Sequence, residues 1–404
     1  MSYIIFLHPN MLAETGMDKN ALISITCLVS FFGTLLFGLW VNVPFAMAPG
    51  LGLNSYFTYT IVLGMGVDWQ TALGIVFISG VLFVALTVVG IREKIVESIP
   101  LSLRLAVPAG IGLLITFIGL KNLGLVISNQ ATFLALGKLT PTVLIGLTGL
   151  IVTVLLEIKK IPGSILIGLA VAVILTLITG YAAAPAKLFS TPPSISPIAL
   201  KLNVLGALKL SFVGAIFSFL YVALFDSVGT LLACSYEAGL AGKDGKIKNI
   251  SKMLGSDAIA TMVGALLGTS TVTAYIESAS GISAGARTGL ASVVTASLFL
   301  VAPFLSPVIS IVPGYATAPA LIIVGVYMFK NIIKIDFSDF LNGFPAFITI
   351  ILMPFTNSIS IGLTFGFICY ILLCLVTGNL SRISKVMWVI GGLSTLNLII
   401  TNFS

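Results

Sequence analysis

The chain runs to 404 residues, of which 58% are hydrophobic and only 8% charged, with a mean hydropathy of +1.17. A soluble domain carries about a quarter charged residues, so that class is excluded and a polytopic α-helical membrane protein remains. The net charge of +7 is scattered at the ends of apolar runs rather than gathered in a basic stripe, which argues against nucleic acid as a partner and for the lipid bilayer.

The opening "MSYIIFLHP" reads as the end of a span. Apolar runs of crossing length follow at 20–41, 69–89, 106–120, 141–158, 162–180, 209–235, 252–267, 287–304, 309–329, 343–355 and 359–377. Two more segments, 43–64 and 268–286, are apolar but broken, which brings the expected crossings to about 14. Between the halves, "YAAAPAKLFSTPPSISP" reads as an ordered outer loop, and the tail "VMWVIGGLSTLNLII" as a helix lying in the interface. No cleavage-site pattern follows a short apolar core, so no secretory signal peptide is expected. Cys27, Cys234, Cys369 and Cys374 lie in apolar surroundings without CxxC spacing, so neither a disulfide framework, a metal site nor a cofactor is expected.

With that even count, 14 of the 20 lysines and arginines fall on one side, Arg92, Lys94, Lys243, Lys246 and Lys248 among them. The positive-inside rule places that side, and both termini, in the cytoplasm. An internal repeat supports the count. "SILIGLAVAVILTLITG" resembles "SISIGLTFGFICYILLCLVTG", and "FIGLKN" resembles "VYMFKN", at offsets near half the chain. Two halves of seven spans each enter from opposite sides, the inverted repeat of secondary transporters.

Under that repeat the two broken spans are counterparts. "VPFAMAP" and "TSTVTAY" suit extended backbone better than helix, and each precedes a helix-compatible stretch. Irregular backbone at membrane depth is tolerated only where it is buried or lines a cavity. Two such segments meeting at the midplane, with helix N-termini pointing inward, make a polar pocket for a small ligand. Thr269, Ser270, Thr271 and Thr273 bring hydroxyls to it, about half of them facing the pocket.

Three carboxylates lie at or near membrane depth: Asp226, Asp257 and Glu277. Intramembrane charge is costly, so Asp226 and Glu277 read as ligand acceptors and proton carriers. Asp257 and Arg287 lie near the same membrane face on consecutive spans and read as a structural ion pair. His8, the sole histidine, reads as packed rather than functional.

"MAPGLGLNSYF", "GIGLLITFIGLKN", "LFDSVGTLLACSYEAGLAGKDGK" and "GTSTVTAYIESASGISAGARTGL" resemble the AzgA-like branch of the nucleobase permeases, the guanine/hypoxanthine/adenine transporters of the nucleobase-ascorbate (nucleobase:cation symporter) family. The likeness extends almost the whole length of the chain. It implies a uracil-permease-like fold: an all-α polytopic membrane protein with two inverted seven-span repeats and short β-strands in spans 3 and 10. Residues 1–98 and 206–305 then form a core domain, 99–205 and 306–380 a gate domain, and 381–404 an interfacial tail.

By the same resemblance, Asp226 and Glu277 contact the base, backbone amides around Phe45, Ala46, Met47, Thr271, Thr273 and Ala274 complete the polar contacts, and Phe45 or Tyr275 provides a stacking wall. The resemblance also implies a longer first span than the one Met1 opens. His8 stands where relatives carry Asn, and Ala286 where they carry Gly. Import of hypoxanthine, guanine or adenine across the cytoplasmic membrane is the implied activity, coupled to protons with Na+ as the alternative, and a homodimer through the gate domain is compatible with it. Anion transport on the same architecture and pyrimidine or xanthine transport are the rival readings. An enzyme is not, because no HExxH, GxSxG or nucleophile–histidine arrangement is present.

Overall fold

In lipid every unpaired backbone N–H or C=O costs several kcal/mol, and the helix is the single-segment solution. The computed structural model, which describes residues 1–90, 98–185, 187–240, 247 and 249–403, follows that rule. Helix α1 spans Ile4–Ala13 and α2 Lys19–Leu36; strand β1 (Met47–Pro49) leads into α3 (Leu51–Ser55), and α4 follows at Trp69–Val88. Next come α5 (Leu101–Leu123), the hairpin β2 (Val126–Asn129) and β3 (Phe133–Leu136), α6 (Pro141–Ile158) and α7 (Ser164–Ile178). The second half runs α8 (Val213–Glu237), α9 (Ile250–Leu267), β4 (Val272–Ala274), α10 (Ser278–Ser283) and α11 (Gly289–Val301). It ends with α12 (Gly314–Phe329), α13 (Phe340–Phe355), α14 (Ile359–Val376) and α15 (Lys385–Phe403).

Among the described residues, nine helices are long and apolar enough to cross a membrane, and α1, α7 and α13 are shorter apolar helices beside them. Their bounds lie close to the runs expected from hydropathy. Both broken segments contain a strand followed by a helix. The loop between the halves is tied down: the Ser190 amide donates to Phe304 O at 2.9 Å and Ser24 Oγ donates to Pro193 O at 2.7 Å. The cations expected at Arg92, Lys94, Lys243, Lys246 and Lys248 lie outside the described residues.

The helices pack in two groups. One joins α1, α2, α4, α8, α9 and α11 around β1 and β4; the other joins α5, α6 and α7 to α12, α13 and α14. Each mixes elements from both halves of the sequence, as interlocked repeats must. Inside a bilayer, apolar area drives little association, so close packing and polar contacts hold helices together. The second group shows how. Thr153 Oγ1 bonds Gly149 O one turn back and packs on Gly168, where an added Cβ would overlap it. Thr349 Oγ1 bonds Pro345 O and packs on Gly366 in the same way. The α6–α7 and α13–α14 contacts are thus the same device in the two halves, and the matching strings seen in the sequence open α7 and α14.

Gly366→Val is expected to force α13 and α14 apart and lower stability by about 3 kcal/mol, the upper range for overpacking. A thermal melt of the detergent-solubilised variant reads this, and an unchanged melting temperature would show that the contact is slack.

Two features lay outside the expectation. The β2–β3 hairpin stands between two spans, where no element was expected; Asn129 Oδ1 accepts the Ala131 and Thr132 amides and turns the chain. Helices α2 and α3 also run on into π-helical turns, Phe37–Val41 and Tyr56–Gly64. Such turns gather at functional sites, and here both flank β1.

Candidate functional site

Strands β1 and β4 pair antiparallel with Met47 opposite Ala274, Ala48 opposite Thr273 and Pro49 opposite Val272. The ladder continues past both ends: the Gly50 amide donates to Thr271 O, and the Tyr275 amide to Ala46 O, each at 3.0 Å. A two-stranded ribbon in a membrane protein leaves its outer edges unpaired, and those edges must find partners. Two threonines supply them. Thr34 Oγ1 on α2 accepts the Met47 amide at 2.9 Å and donates to Met47 O at 3.0 Å. Thr261 Oγ1 on α9 accepts the Val272 amide at 3.1 Å and donates to Val272 O at 3.0 Å. The two arrangements are related by a two-fold through the Ala48–Thr273 pair, so the inverted repeat is visible at atomic detail.

His8 clamps the second strand from behind. The Thr26 hydroxyl donates to Leu22 O at 2.6 Å, so its oxygen is left to accept from His8 Nδ1–H at 2.7 Å. Nε2 then accepts from Thr269 Oγ1 at 2.7 Å. Both ring nitrogens are used and the residue is fully buried, which is the packed role expected. His8→Ala leaves a cavity and an unpaired Thr269, and is expected to cost about 2–4 kcal/mol. The melting temperature should fall while binding per folded molecule changes little; a stable variant that has lost binding would instead place His8 in the site.

The carboxylates gather on the opposite side. Asp226 on α8 accepts from Thr273 Oγ1 at 3.3 Å, and its Oδ2 lies 3.6 Å from where a Cβ on Gly50 would stand. Glycine is explained at this point by Thr273, whose Cγ2 would lie only 2.9 Å from such a Cβ. Glu277 directly precedes α10 and accepts a hydrogen bond from the Tyr3 hydroxyl. Both carboxylates are only partly buried, and they lie within electrostatic reach of each other. Tyr275 is almost wholly buried between them, its hydroxyl donating to Pro49 O at 2.5 Å. The Thr271 hydroxyl is buried without a partner.

Three expectations are corrected. The Ala46 and Met47 amides are not open to a ligand, since Ser278 Oγ (3.0 Å) and Thr34 Oγ1 (2.9 Å) accept from them. Those two amides therefore do not face a ligand. Phe45 is fully buried, edge-on to Phe37 at a centroid distance of 6.0 Å, and offers no free ring face. Asp257 and Arg287 do not pair: Ser227 Oγ donates to Asp257 Oδ2, and Arg287 Nη1 donates to Ile282 O at 2.5 Å and Ala286 O at 2.8 Å. The turn that follows α10 folds the guanidinium back on its own carbonyls.

Sequence reasoning missed Tyr3 and an aromatic cluster beside Asp226. Tyr221 on α8 meets Phe367 on α14 edge-to-face at 4.9 Å, and Phe219 meets Tyr56 at 4.9 Å. Ser218 Oγ donates to Ser360 Oγ at 2.8 Å across the same seam between the two helix groups. The run "FSFLYVALFD" holds the signal, with aromatics on alternate positions just before the carboxylate. Among the described residues no three His, Cys, Asp or Glu side chains gather as metal ligands.

The chain matches the model of the Permease family over residues 1–365. It is 39% identical over 400 residues to the adenine permease AdeP of Escherichia coli, spanning 99% of this chain and 90% of that one. It is 40% identical over 400 residues to the guanine/hypoxanthine permease PbuG of Bacillus subtilis, spanning 96% and 91%. Among solved structures, the transmembrane domain of the cyanobacterial bicarbonate transporter BicA superposes with a TM-score of 0.66 at 16% identity, covering 89% of this chain and 94% of that one.

Proposed function

The chain belongs to the Permease family, and from that premise we propose that it carries a purine nucleobase (hypoxanthine, guanine or adenine) inward across the cytoplasmic membrane with a proton. It is a membrane transporter, not an enzyme. The observation that carries the purine reading is the pair of part-exposed carboxylates, Asp226 and Glu277, flanking a buried strand crossing that offers few other acceptors. A purine presents ring N–H groups and, in hypoxanthine and guanine, an amide edge. Glu277 and Asp226 accept from those N–H groups, each held in place by the hydroxyl that donates to it, Tyr3 on Glu277 and Thr273 on Asp226. A pair of acceptors held in place rejects ligands that lack donors far better than an apolar slot does. An anion meets two carboxylates here, which argues against the bicarbonate-type reading that the fold alone would permit.

The nine long helices, three shorter ones and two broken segments make 14 crossings in this reading, with both termini in the cytoplasm. The helix group around β1 and β4 acts as the core and carries the base; the group of α5–α7 and α12–α14 acts as the gate. Alternating access is their relative movement about the seam at Tyr221, Phe367 and Ser218. Protonation of a carboxylate accompanies binding outside, and its release inside weakens the site. Tyr275, buried beside both acids, backs the site from the strand crossing; a homodimer through the gate group fits the same arrangement.

Uptake of labelled hypoxanthine by cells expressing the chain, at pH 6 and pH 8, tests this. Saturable uptake, stronger at pH 6 and blocked by adenine or guanine, is expected. Block by uracil, xanthine or sulfate in place of these purines would overturn the substrate, and equal uptake at both pH values with dependence on Na+ would overturn the proton.

A further inference from the structure

We infer a second ligand site, for a phosphate group, at one end of the gate helices. A cavity of about 530 Å³ opens there between the start of α5, the turn after α12, the start of α13 and the turn after α14. That volume is in the range of small-molecule sites. Its wall carries Arg104, Lys334 and Arg382.

Helix α5 is 23 residues long and begins at Pro100–Leu101 on this wall with no side chain capping it. The first-turn N–H groups of a long uncapped helix, with its positive dipole end, favour an anion. Ser102 in that turn is the independent sign of a ligand. Its side chain is 92% buried, its hydroxyl has no hydrogen-bond partner, and it lines the cavity. A buried unpartnered hydroxyl is costly, and a phosphate oxygen at the helix end removes that cost.

Two carboxylates share the wall, and both are engaged. Asp339 caps α13 through the Leu341 amide at 3.1 Å, accepts from Asn342 Nδ2 at 2.6 Å, and lies 3.8 Å from Arg382. Asp336 accepts the Ser338 amide at 2.9 Å and the Ser338 hydroxyl at 2.6 Å. Lys334 is exposed and makes no ion pair among the described residues. The site thus combines the unpaired Lys334, the Arg382 that Asp339 shares, Arg104 on the wall, helix amides and a spare hydroxyl, a donor set that suits the oxygens of a phosphate. None of it belongs to the base site around β1 and β4.

The phosphate can come from a lipid headgroup or from a soluble phosphate compound. Native mass spectrometry of the purified full chain, and thermal melts with inorganic phosphate, guanosine monophosphate or short-chain phosphatidylglycerol against chloride at equal ionic strength, tell them apart. A phosphate-bearing adduct, or a stabilising shift beyond that of chloride, is expected for at least one probe. Response to a soluble probe assigns a soluble ligand; response or adduct with lipid alone assigns a headgroup. Lys334→Gln alters an exposed side chain without disturbing packing, and Ser102→Ala removes only the spare hydroxyl; each should weaken the effect on the order of tenfold. Absence of any adduct and of any shift beyond chloride, or a shift that both variants keep in full, overturns the site.

Discussion

Glu277→Gln is expected to abolish saturable purine uptake, with a loss of apparent affinity on the order of 100-fold. The substitution keeps shape and removes charge. Where a carboxylate accepts from two N–H groups, the amide offers one acceptor oxygen and turns a donor toward a donor. Hydrogen bonds to a charged group contribute about 1.5–3 kcal/mol each, and a buried unpaired donor adds a similar cost. Tyr3→Phe is the control, because it removes the hydroxyl that bonds Glu277 yet leaves the carboxylate. Its loss should be nearer tenfold. Binding of labelled hypoxanthine to purified protein measures both, independently of transport rate. A Gln variant that binds as tightly as the parent would remove Glu277 from the site.

Much of this architecture was legible because two physical constraints leave plain marks. Lipid demands continuous apolar helices, so the runs at 141–158 and 359–377 met helices Pro141–Ile158 and Ile359–Val376. It also forbids idle irregular backbone, so "VPFAMAP" and "TSTVTAY" point to the β1–β4 crossing from their composition alone. The details lost were those that depend on what lies opposite. That Thr34 and Thr261 occupy the ribbon's outer edges follows from three-dimensional neighbours, and nothing in "FFGTLL" or "AIATMV" announces it. Tyr3 lies 274 positions from the Glu277 it bonds. The Asp257–Arg287 pair failed for the converse reason: nearness to one membrane face in a linear reading says nothing about which way a guanidinium turns.

Asp226→Asn is expected to abolish accumulation while leaving exchange. Asp226 holds a single long hydrogen bond from Thr273, 3.3 Å, against the strand crossing, and its second oxygen has no bond among the described residues. If this group carries the coupled proton, an amide of the same shape still accepts one N–H from the base but has no proton to give up. The carrier then equilibrates the base instead of pumping it. In vesicles with a gradient of one pH unit, a stoichiometry of one proton per base supports about a tenfold inside-to-outside ratio, since one pH unit is worth about 1.4 kcal/mol. The parent should approach that ratio and lose it on adding a protonophore. The Asn variant should settle near equality with or without the protonophore, while trading labelled for unlabelled base at a measurable rate. An Asn variant that still accumulates the base assigns the proton elsewhere, and Glu277 is then the remaining carboxylate at the crossing able to carry it. A variant that neither accumulates nor exchanges, though folded and able to bind, makes Asp226 part of the movement itself, through the α8 helix that joins the strand crossing to the aromatic seam.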